Sequence, residues 1–224
     1  MNYNSERTLN IFCDASITTA KDGTVIGCPG SIAIDKNKGM IDYSFNIIER
    51  STNNNSEITA VLLAVYQAYK FRDLYDEINI FSDSKICIFG LREWIFNWVH
   101  NMVNGVMYSS SGTPVANQEI IITIYNFIVS NNLKVNFYHQ KGHVTGTDKS
   151  IMEARRVFAQ SNRLSMSMEF IEIISFHNNW IDAQTKAELD QYIYNRDTTV
   201  LTKVISYEMN PSHISIYKKL IGRK

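Results

Sequence analysis

The chain has 224 residues, of which 45% are hydrophobic, and its 22 basic side chains balance 22 acidic ones. This length and composition fit one large globular domain, or one domain with additions, and an ample core. They exclude a membrane span, since no apolar run approaches the ~18 residues that one needs, and the neutral net charge argues against strong nonspecific affinity for nucleic acid.

The cysteines and the first residues indicate the compartment. Cys13, Cys28 and Cys87 are an odd set without Cys-x-x-Cys spacing, so neither a disulfide framework nor a zinc site is predicted. The opening residues carry charge with no apolar stretch behind them, so no secretory signal is expected. We therefore expect a reduced, cytoplasmic setting.

The first third of the chain predicts three strands and a helix. A β-rich run over residues 8–16 is followed by turn-forming residues. Alternating segments over 25–35 and 40–49 flank KNKG, which is typical of a β-hairpin. Apolar residues at helical spacing then predict a helix over 56–72.

The next part of the chain continues with alternating elements. Residues 77–84 predict a strand, and 85–103 predict one or two helices with Gly90 as a possible break. A helix over 117–132 and a strand over 133–140 follow. The order of three strands, helix, strand, helices, strand and helix predicts a mixed sheet with helices on its faces, an α/β domain.

Four carboxylates are candidates for chemistry. Asp14 and Asp83 stand at strand ends, Glu57 in the first turn of a helix, and Asp182 just inside the last helical stretch. Strand ends of an open α/β sheet are where ligands collect, and converging acids persist only with cations between them, for which Mg²⁺ or Mn²⁺ is suited. Two such ions roughly 4 Å apart promote phosphoryl displacement. The alternative is that each acid is an ordinary turn or helix-end residue.

Five short motifs, in this order, resemble the ribonuclease H type 1 family: IFCDAS, STNNNSE, IFSDSK, QKGHVTG and NNWIDAQTKA. The resemblance covers residues 8 to about 148 and 177–190. It implies the family fold, a five-stranded mixed sheet whose first three strands are antiparallel, flanked by helices. The order of elements predicted above is the same.

The resemblance also implies a catalytic site. Asp14, Glu57, Asp83 and Asp182 match the four acids that hold two Mg²⁺ ions, with Mn²⁺ as an expected substitute. His143 matches the family's mobile-loop histidine, which assists proton movement or product release, and an imidazole is suited to exchanging protons near neutral pH.

The resemblance also implies contacts to both strands of an RNA–DNA hybrid, the substrate of the family. Asn53 and Asn54 match the family's minor-groove readers, since amides can recognise 2′-hydroxyls and base edges. Arg50, Thr52 and Asn117 resemble the pocket that grips a phosphate of the DNA strand.

Two tryptophans in EWIFNW are similar to a family pair. Trp94 and Trp98 stand at i and i+4 and share a helix face. They resemble the aromatic wall against which deoxyribose packs, and filling the core is the alternative role.

The sequence departs from the family pattern at several points. Cys28 stands where an RNA-contacting asparagine is expected, and residues 102–112 carry no lysine or arginine where the family has a basic protrusion, so long-range attraction should be weaker. The loop between His143 and Asp182 is longer by nearly the whole of 149–176.

This extra segment determines the predicted domain organisation. We predict a domain over 1–190 with 149–176 as an insertion, and a C-terminal extension over 191–224 packed on or next to it. Three arginines in the insertion could replace the missing basic surface or form a solvated helix face, and we favour the second: Arg155, Arg156 and Arg163.

We predict an endoribonuclease that hydrolyses the RNA strand of RNA–DNA hybrids and leaves 5′-phosphate and 3′-hydroxyl ends, with no membrane partner. One alternative is another nuclease of the superfamily, such as a structure-selective DNA resolvase, which the asparagines before Glu57 disfavour. Another is a catalytically silent module that binds nucleic acid or protein, which the four intact acids disfavour.

Overall fold

The computed structural model describes residues 7–195 and 218–221. The strands are β1 (Thr8–Thr19), β2 (Val25–Asp35), β3 (Gly39–Phe45), β4 (Ile48–Glu49), β5 (Glu77–Ser82) and β6 (Asn136–His139). The helices are α1 (Asn53–Phe71), α2 (Lys85–Phe89), α3 (Ile95–His100), α4 (Gln118–Ser130), α5 (Asp148–Asn162) and α6 (Met168–Asn195), and a π-helical turn, Gly90–Trp94, joins α2 to α3.

The sheet has the predicted mixed topology. Its order is β3-β2-β1-β5-β6, and the two-residue β4 pairs with β2 beside this path. β1, β2 and β3 are antiparallel neighbours, whereas β5 is parallel to both β1 and β6. The predicted fold class is confirmed, with β4 as a small addition to the five expected strands.

Apolar side chains on both faces of β1 hold the layers together. Because successive strand residues point to opposite faces, Leu9 and Ile11 join one buried cluster while Phe12 joins another. The first cluster packs under α1 and α4, and the second under α5 and α6. β1 is therefore the central strand of a three-layer α/β/α arrangement.

Helix α1 begins earlier than predicted. Thr52 is its N-cap, with Oγ1 accepting a hydrogen bond from the Asn55 main-chain N–H at 3.2 Å. The helix expected over 56–72 therefore starts at Asn53. Glu57 is its fifth residue and lies in the second turn, so its placement in the first turn was wrong.

The segment predicted as an insertion is part of the packed structure. Residues 149–176 form most of α5 and the start of α6, and Ile151 and Phe158 are buried in the cluster between these helices and the sheet. Helix α6 runs without a break over 28 residues. Asp182 therefore lies in the middle of the helix and not just inside its start, as the sequence had suggested.

The arginines of this segment lie on its outer side. Arg156 is exposed and pairs with Glu153 at 2.7 Å. Arg155 is also exposed, and its Nε donates to the main-chain oxygen of Met166 at 2.8 Å. Arg163 is exposed and follows α5 in the left-handed conformation. These positions agree with the solvated helix face that we favoured.

The proposed boundary between the domain and the C-terminal extension stays a prediction. Helix α6 crosses it to Asn195, and residues 196–217 of the extension lie outside the described residues. Leu220 and Ile221 are buried, and the Leu220 carbonyl accepts a hydrogen bond from the Val135 N–H at 3.0 Å. Among the helices of the described ranges, none combines the length and apolarity that a bilayer crossing requires.

Replacing Phe158 by Ala is expected to lower the free energy of unfolding by about 3–5 kcal/mol, because it leaves a cavity in the α5–α6 cluster. Phe158 is 1% exposed, and its ring centroid lies 6.0 Å from that of Tyr138 and 5.9 Å from that of Phe170. Urea denaturation measures the loss.

The matched control is Met152→Ala on the exposed side of the same helix, where Met152 is 64% exposed. We expect a change within about 0.5 kcal/mol. Equal effects of the two substitutions would contradict the placement of α5 in the core.

Candidate active site

Three acids from different elements meet at one edge of the sheet. Phe12 in β1 is in register with Phe81 in the parallel strand β5, so Asp14 and Asp83 lie two residues beyond this pair on adjacent chains. Glu57 approaches from α1. One carboxylate oxygen from each of Asp14, Glu57 and Asp83 lies within 4.8 Å of the others, and these three residues are called the acid cluster below.

Burial and mutual repulsion keep protons on the acid cluster when no cation is bound. Burial, then the charge of Asp83, raises the pKa of Asp14 from 3.8 to about 8, although the Ala15 N–H donates to Oδ1 at 2.8 Å. Burial and the charges of Asp14 and Asp83 raise the pKa of Glu57 to about 9. Burial also raises the pKa of Asp83. A divalent cation bound here would displace these protons.

The acid cluster suits a hard divalent cation. Oε2 of Glu57 is buried and has no hydrogen-bond partner among the described residues. Such an oxygen costs roughly 1–3 kcal/mol when it is left unsatisfied, and a cation that prefers oxygen ligands would satisfy it. Three carboxylates from separate elements form the ligand set that Mg²⁺ and Mn²⁺ prefer.

Asp182, the fourth predicted acid, lies beside the acid cluster but is not a member of it. Its side chain is 37% exposed, and Oδ2 lies 3.4 Å from Nδ1 of His143, which is 82% exposed. The charge of Asp182 contributes to the raised pKa of each of the three cluster residues, after burial. The structure thus brings His143 and Asp182 together as a pair at the margin of the buried acids.

Polar residues that the sequence analysis missed hold Asp83 in place. Nδ2 of Asn178 donates to Oδ2 of Asp83 at 3.4 Å, and Nε2 of His139 lies 3.2 Å from the Asp83 carbonyl oxygen. Burial lowers the pKa of His139 to about 4, so its ring is neutral at physiological pH. The available signal for Asn178 was its position four residues before Asp182, which places both on one face of α6.

The predicted substrate contacts surround the start of α1. Asn53 and Asn54 are exposed in its first turn, and Arg50 is exposed just before it with a φ of 54°. Asn117 is tied to this turn because Nδ2 of Asn55 donates to its Oδ1 at 3.3 Å. Asn55, to which the sequence assigned no role, therefore connects the two halves of the predicted phosphate pocket. Contact of these residues with substrate stays a prediction.

The two tryptophans differ in exposure. Trp98 is 9% exposed and lines a cavity of about 290 Å³ together with Asn54 and Asn117. Trp94 is 37% exposed, and its ring centroid lies 6.0 Å from that of Trp98. Trp98 thus fills the core, whereas Trp94 retains a surface for a ligand. Cys28 is 1% exposed, so its side chain cannot reach RNA in this conformation.

The sequence pattern of the RNase H family matches residues 6–155, about two thirds of the chain. The chain belongs to the ribonuclease H family. With this membership, the predicted enzyme class is confirmed, a hydrolase acting on nucleic acid. The family is metal-dependent, which agrees with the acid cluster.

Curated relatives and solved structures support the same family. The ribonuclease H of Haemophilus influenzae (strain 86-028NP) is 29% identical over 157 residues, which cover 67% of this chain and 94% of the relative. That of Actinobacillus succinogenes is 32% identical over 54% of this chain and 75% of its own length. The solution structure of the PFV RNase H domain is 17% identical, covers 69% of this chain and 94% of that domain, and has a TM-score of 0.51. This last similarity concerns the fold.

Replacing Asp14 by Asn should stabilise the metal-free protein at pH 8 and have little effect at pH 4. The unfolded chain releases the Asp14 proton near pH 4, whereas the native state retains it up to about pH 8. The contribution of Asp14 to the free energy of unfolding is therefore complete below pH 4 and is lost as the pH rises through about 8. Asn removes the charge and keeps the oxygen that accepts the Ala15 N–H. We expect a gain of roughly 1–3 kcal/mol at pH 8, measured as the free energy of unfolding in EDTA.

Asp190→Asn provides the charge-matched control, because Asp190 is exposed on α6. We expect it to change stability by less than about 0.5 kcal/mol at either pH. A stability difference between D14N and wild type that is independent of pH would argue against the raised pKa.

Proposed function

We propose that the chain is an endoribonuclease that hydrolyses the RNA strand of RNA–DNA hybrids and leaves 5′-phosphate and 3′-hydroxyl ends. Asp14, Glu57, Asp83 and Asp182 would hold two Mg²⁺ ions, with Mn²⁺ as a substitute. When bound, these ions would activate a water molecule and stabilise the charge that develops on the phosphate.

One observation carries this proposal. The helix that brings the unsatisfied Glu57 oxygen to the acid cluster also exposes Asn53 and Asn54 in its first turn. Amides can donate to and accept from 2′-hydroxyl groups, which distinguish RNA from DNA. The groups that would recognise RNA and one of the acids that would bind metal, Glu57, are therefore fixed by the same element, one helical turn apart.

His143 and Asp182 suit the transfer of a proton at the margin of the site. The imidazole is highly exposed and its Nδ1 faces the Asp182 carboxylate at 3.4 Å. It can therefore approach a phosphate group at the acid cluster from the solvent side. We assign His143 to protonation of the leaving 3′-oxygen or to release of the product, as a general acid that is positioned by Asp182.

The DNA strand would be held by Arg50, Thr52 and Asn117. The Thr52 oxygen accepts the Asn55 N–H, which leaves its hydroxyl hydrogen free to donate to a phosphate oxygen. Asn117 is linked to the same turn through Asn55. A guanidinium, a hydroxyl and an amide together suit a phosphate, and such contacts fix the position of a duplex without reading its sequence.

The alternative functions are less well supported. A DNA resolvase has no use for amides that recognise 2′-hydroxyls beside the acid cluster. A silent binding module would retain three closely spaced acids that repel one another, which costs stability at neutral pH.

Matched substrates are expected to distinguish these functions. With Mg²⁺, the wild-type protein should cleave the RNA strand of an RNA–DNA hybrid and leave double-stranded RNA and a four-way DNA junction intact. Asp83→Asn should lower kcat on the hybrid by at least about 100-fold, since a direct ligand should matter more than an outer-sphere partner. Gel analysis with end-labelled strands measures the cleavage and identifies the ends.

Asp190→Asn is again the control and should cleave the hybrid like the wild type. Cleavage of the junction by the wild type, or of none of the substrates, would overturn the proposed function. Unchanged turnover in Asp83→Asn would remove that residue from the metal site.

Replacing Arg50 by Asn should raise the KM for the hybrid by roughly 3–10-fold at unchanged kcat, because a phosphate contact distant from the cut is lost. Asn tolerates the left-handed backbone at this position. The slope of log Kd against log salt should fall by about one. Steady-state kinetics and salt-dependent binding measure both effects.

Arg7→Asn is the control for charge, since Arg7 pairs with Asp76 at 3.5 Å at the opposite end of β1. It should leave KM and the salt slope unchanged. Equal effects of the two variants would show that Arg50 acts only through the net charge of the protein.

A further inference from the structure

Gln140 is a buried glutamine that the proposed reaction does not yet use. It directly follows β6 and is 2% exposed. Its main-chain N–H donates to the Ser82 carbonyl at 3.1 Å, which extends the pairing of β6 with β5 by one residue. Gln140 is thereby fixed next to the residue that precedes Asp83.

The side chain of Gln140 is connected to Asp83 through one intermediate. Its Nε2 donates to Oδ1 of Asn178 at 2.6 Å, and Nδ2 of Asn178 donates to Oδ2 of Asp83 at 3.4 Å. Asn178 is 1% exposed. The three residues come from the end of β6, from α6 and from the end of β5, and they form a continuous amide–amide–carboxylate relay.

The orientation of the Asn178 amide determines whether a hydrogen-bond donor or an acceptor faces the Asp83 carboxylate. Rotation of this amide by 180° would turn its oxygen toward the carboxylate, where two acceptors repel each other. The NH₂ group of Gln140 requires an acceptor opposite it, so the Asn178 oxygen faces Gln140 and its nitrogen faces Asp83. Gln140 thus determines the polarity of the group that contacts the carboxylate.

Burying Gln140 lowers the stability of the fold, which supports a functional role for this residue. Its Oε1 is buried without a hydrogen-bond partner among the described residues. An apolar side chain of similar length would fill the same volume without that penalty. The benefit must therefore come from the NH₂ group, whose acceptor is Asn178.

The main chain also comes close to the Asp83 carboxylate at Gly142. A Cβ added to Gly142 would lie 2.0 Å from Oδ2 of Asp83, so only a glycine allows the backbone to approach the carboxylate this closely. With Asn178 and Gly142 both next to Oδ2, rotation of the carboxylate is restricted.

We propose that Gln140 is a positioning residue for metal binding, which fixes the Asn178 amide so that it holds the Asp83 carboxylate in the orientation that receives a divalent cation. This inference rests on the proposed function, because it assigns Asp83 to the metal site. It concerns the affinity for metal and the rate of cleavage, and not the binding of nucleic acid.

Gln140→Met tests the proposal, since Met keeps the length of the side chain and removes the donor. Isothermal titration with Mn²⁺ in the absence of nucleic acid should show an affinity about tenfold weaker than wild type. The kcat on the hybrid should fall by about tenfold while the KM for the hybrid changes less than twofold. Gln140→Glu, which presents an oxygen in place of the donor, should lose at least as much Mn²⁺ affinity.

Gln67→Met is the matched control. Gln67 is 4% exposed on α1, its Oε1 is also buried without a partner, and its Nε2 donates to the Ser31 carbonyl at 3.5 Å. Its Mn²⁺ affinity and kcat should match wild type. A similar loss in both variants would show a general effect of cavities on stability and would overturn the specific role of Gln140.

Asp83→Asn in the same titration separates this inference from the proposed function. If Asp83→Asn binds Mn²⁺ like the wild type, the metal role of Asp83 fails and the relay fails with it. If Asp83→Asn loses Mn²⁺ binding while Gln140→Met retains it, only the relay is wrong. Both variants losing Mn²⁺ affinity, with Gln67→Met unaffected, is the expected result.

The wild-type protein provides a test that does not depend on the folding of any variant. The side-chain NH₂ groups of Gln140 and Asn178 should exchange with solvent far more slowly in NMR experiments than that of the exposed Asn53. Exchange as fast as that of Asn53 would show that the relay does not exist in solution.

Discussion

The carboxylates of Asp14, Glu57 and Asp83 repel one another in a buried pocket, and the surrounding fold must hold them together against this repulsion. β1 and β5 are parallel neighbours, so their acids cannot separate without breaking the sheet. Helix α1 packs on β1 and β2 and fixes the third acid. The raised pKa values show that protons relieve part of the repulsion when no cation is present. The free energy of packing therefore holds the acids close together, and this closeness gives the site its affinity for cations.

The sequence was sufficient to predict the sheet because its strands and helices follow local patterns. Alternating strands have a period of two, and helices have a period near 3.6. That Asp14, Glu57 and Asp83 share one site was expected from the resemblance to the family, because spacing alone could not show that they meet. The start of α1 was missed because asparagine has a low helix propensity, whereas the cap made by Thr52 recruits Asn53 and Asn54 into the helix. The packing of α5 could not be predicted in detail because its apolar positions, such as Phe158, are buried only through contacts with distant parts of the chain.

Local patterns offered a single signal for the residues around Asp83, which was the spacing of Asn178 and Asp182 on α6. Asn178 lies 95 positions away in the chain from the carboxylate that it contacts. Asn162, at the end of α5, uses its side-chain amide to bond both main-chain groups of His139, accepting the N–H at 3.0 Å and donating to the carbonyl at 2.7 Å. These are the bonds that another strand would make at this sheet edge. The segment that departs from the family pattern thus supports the strand that leads into the site.

The contact between Leu220 and Val135 has a consequence for how the chain can be shortened. Val135 stands immediately before β6, and Leu220 and Ile221 cover apolar side chains of the layer formed by α1 and α4. A recombinant fragment that stops after α6 would uncover this surface and leave the Val135 amide exposed to water. Such a fragment would become prone to self-association at the same sheet edge that leads to His139, so biochemical work on shortened forms should keep the chain through Ile221.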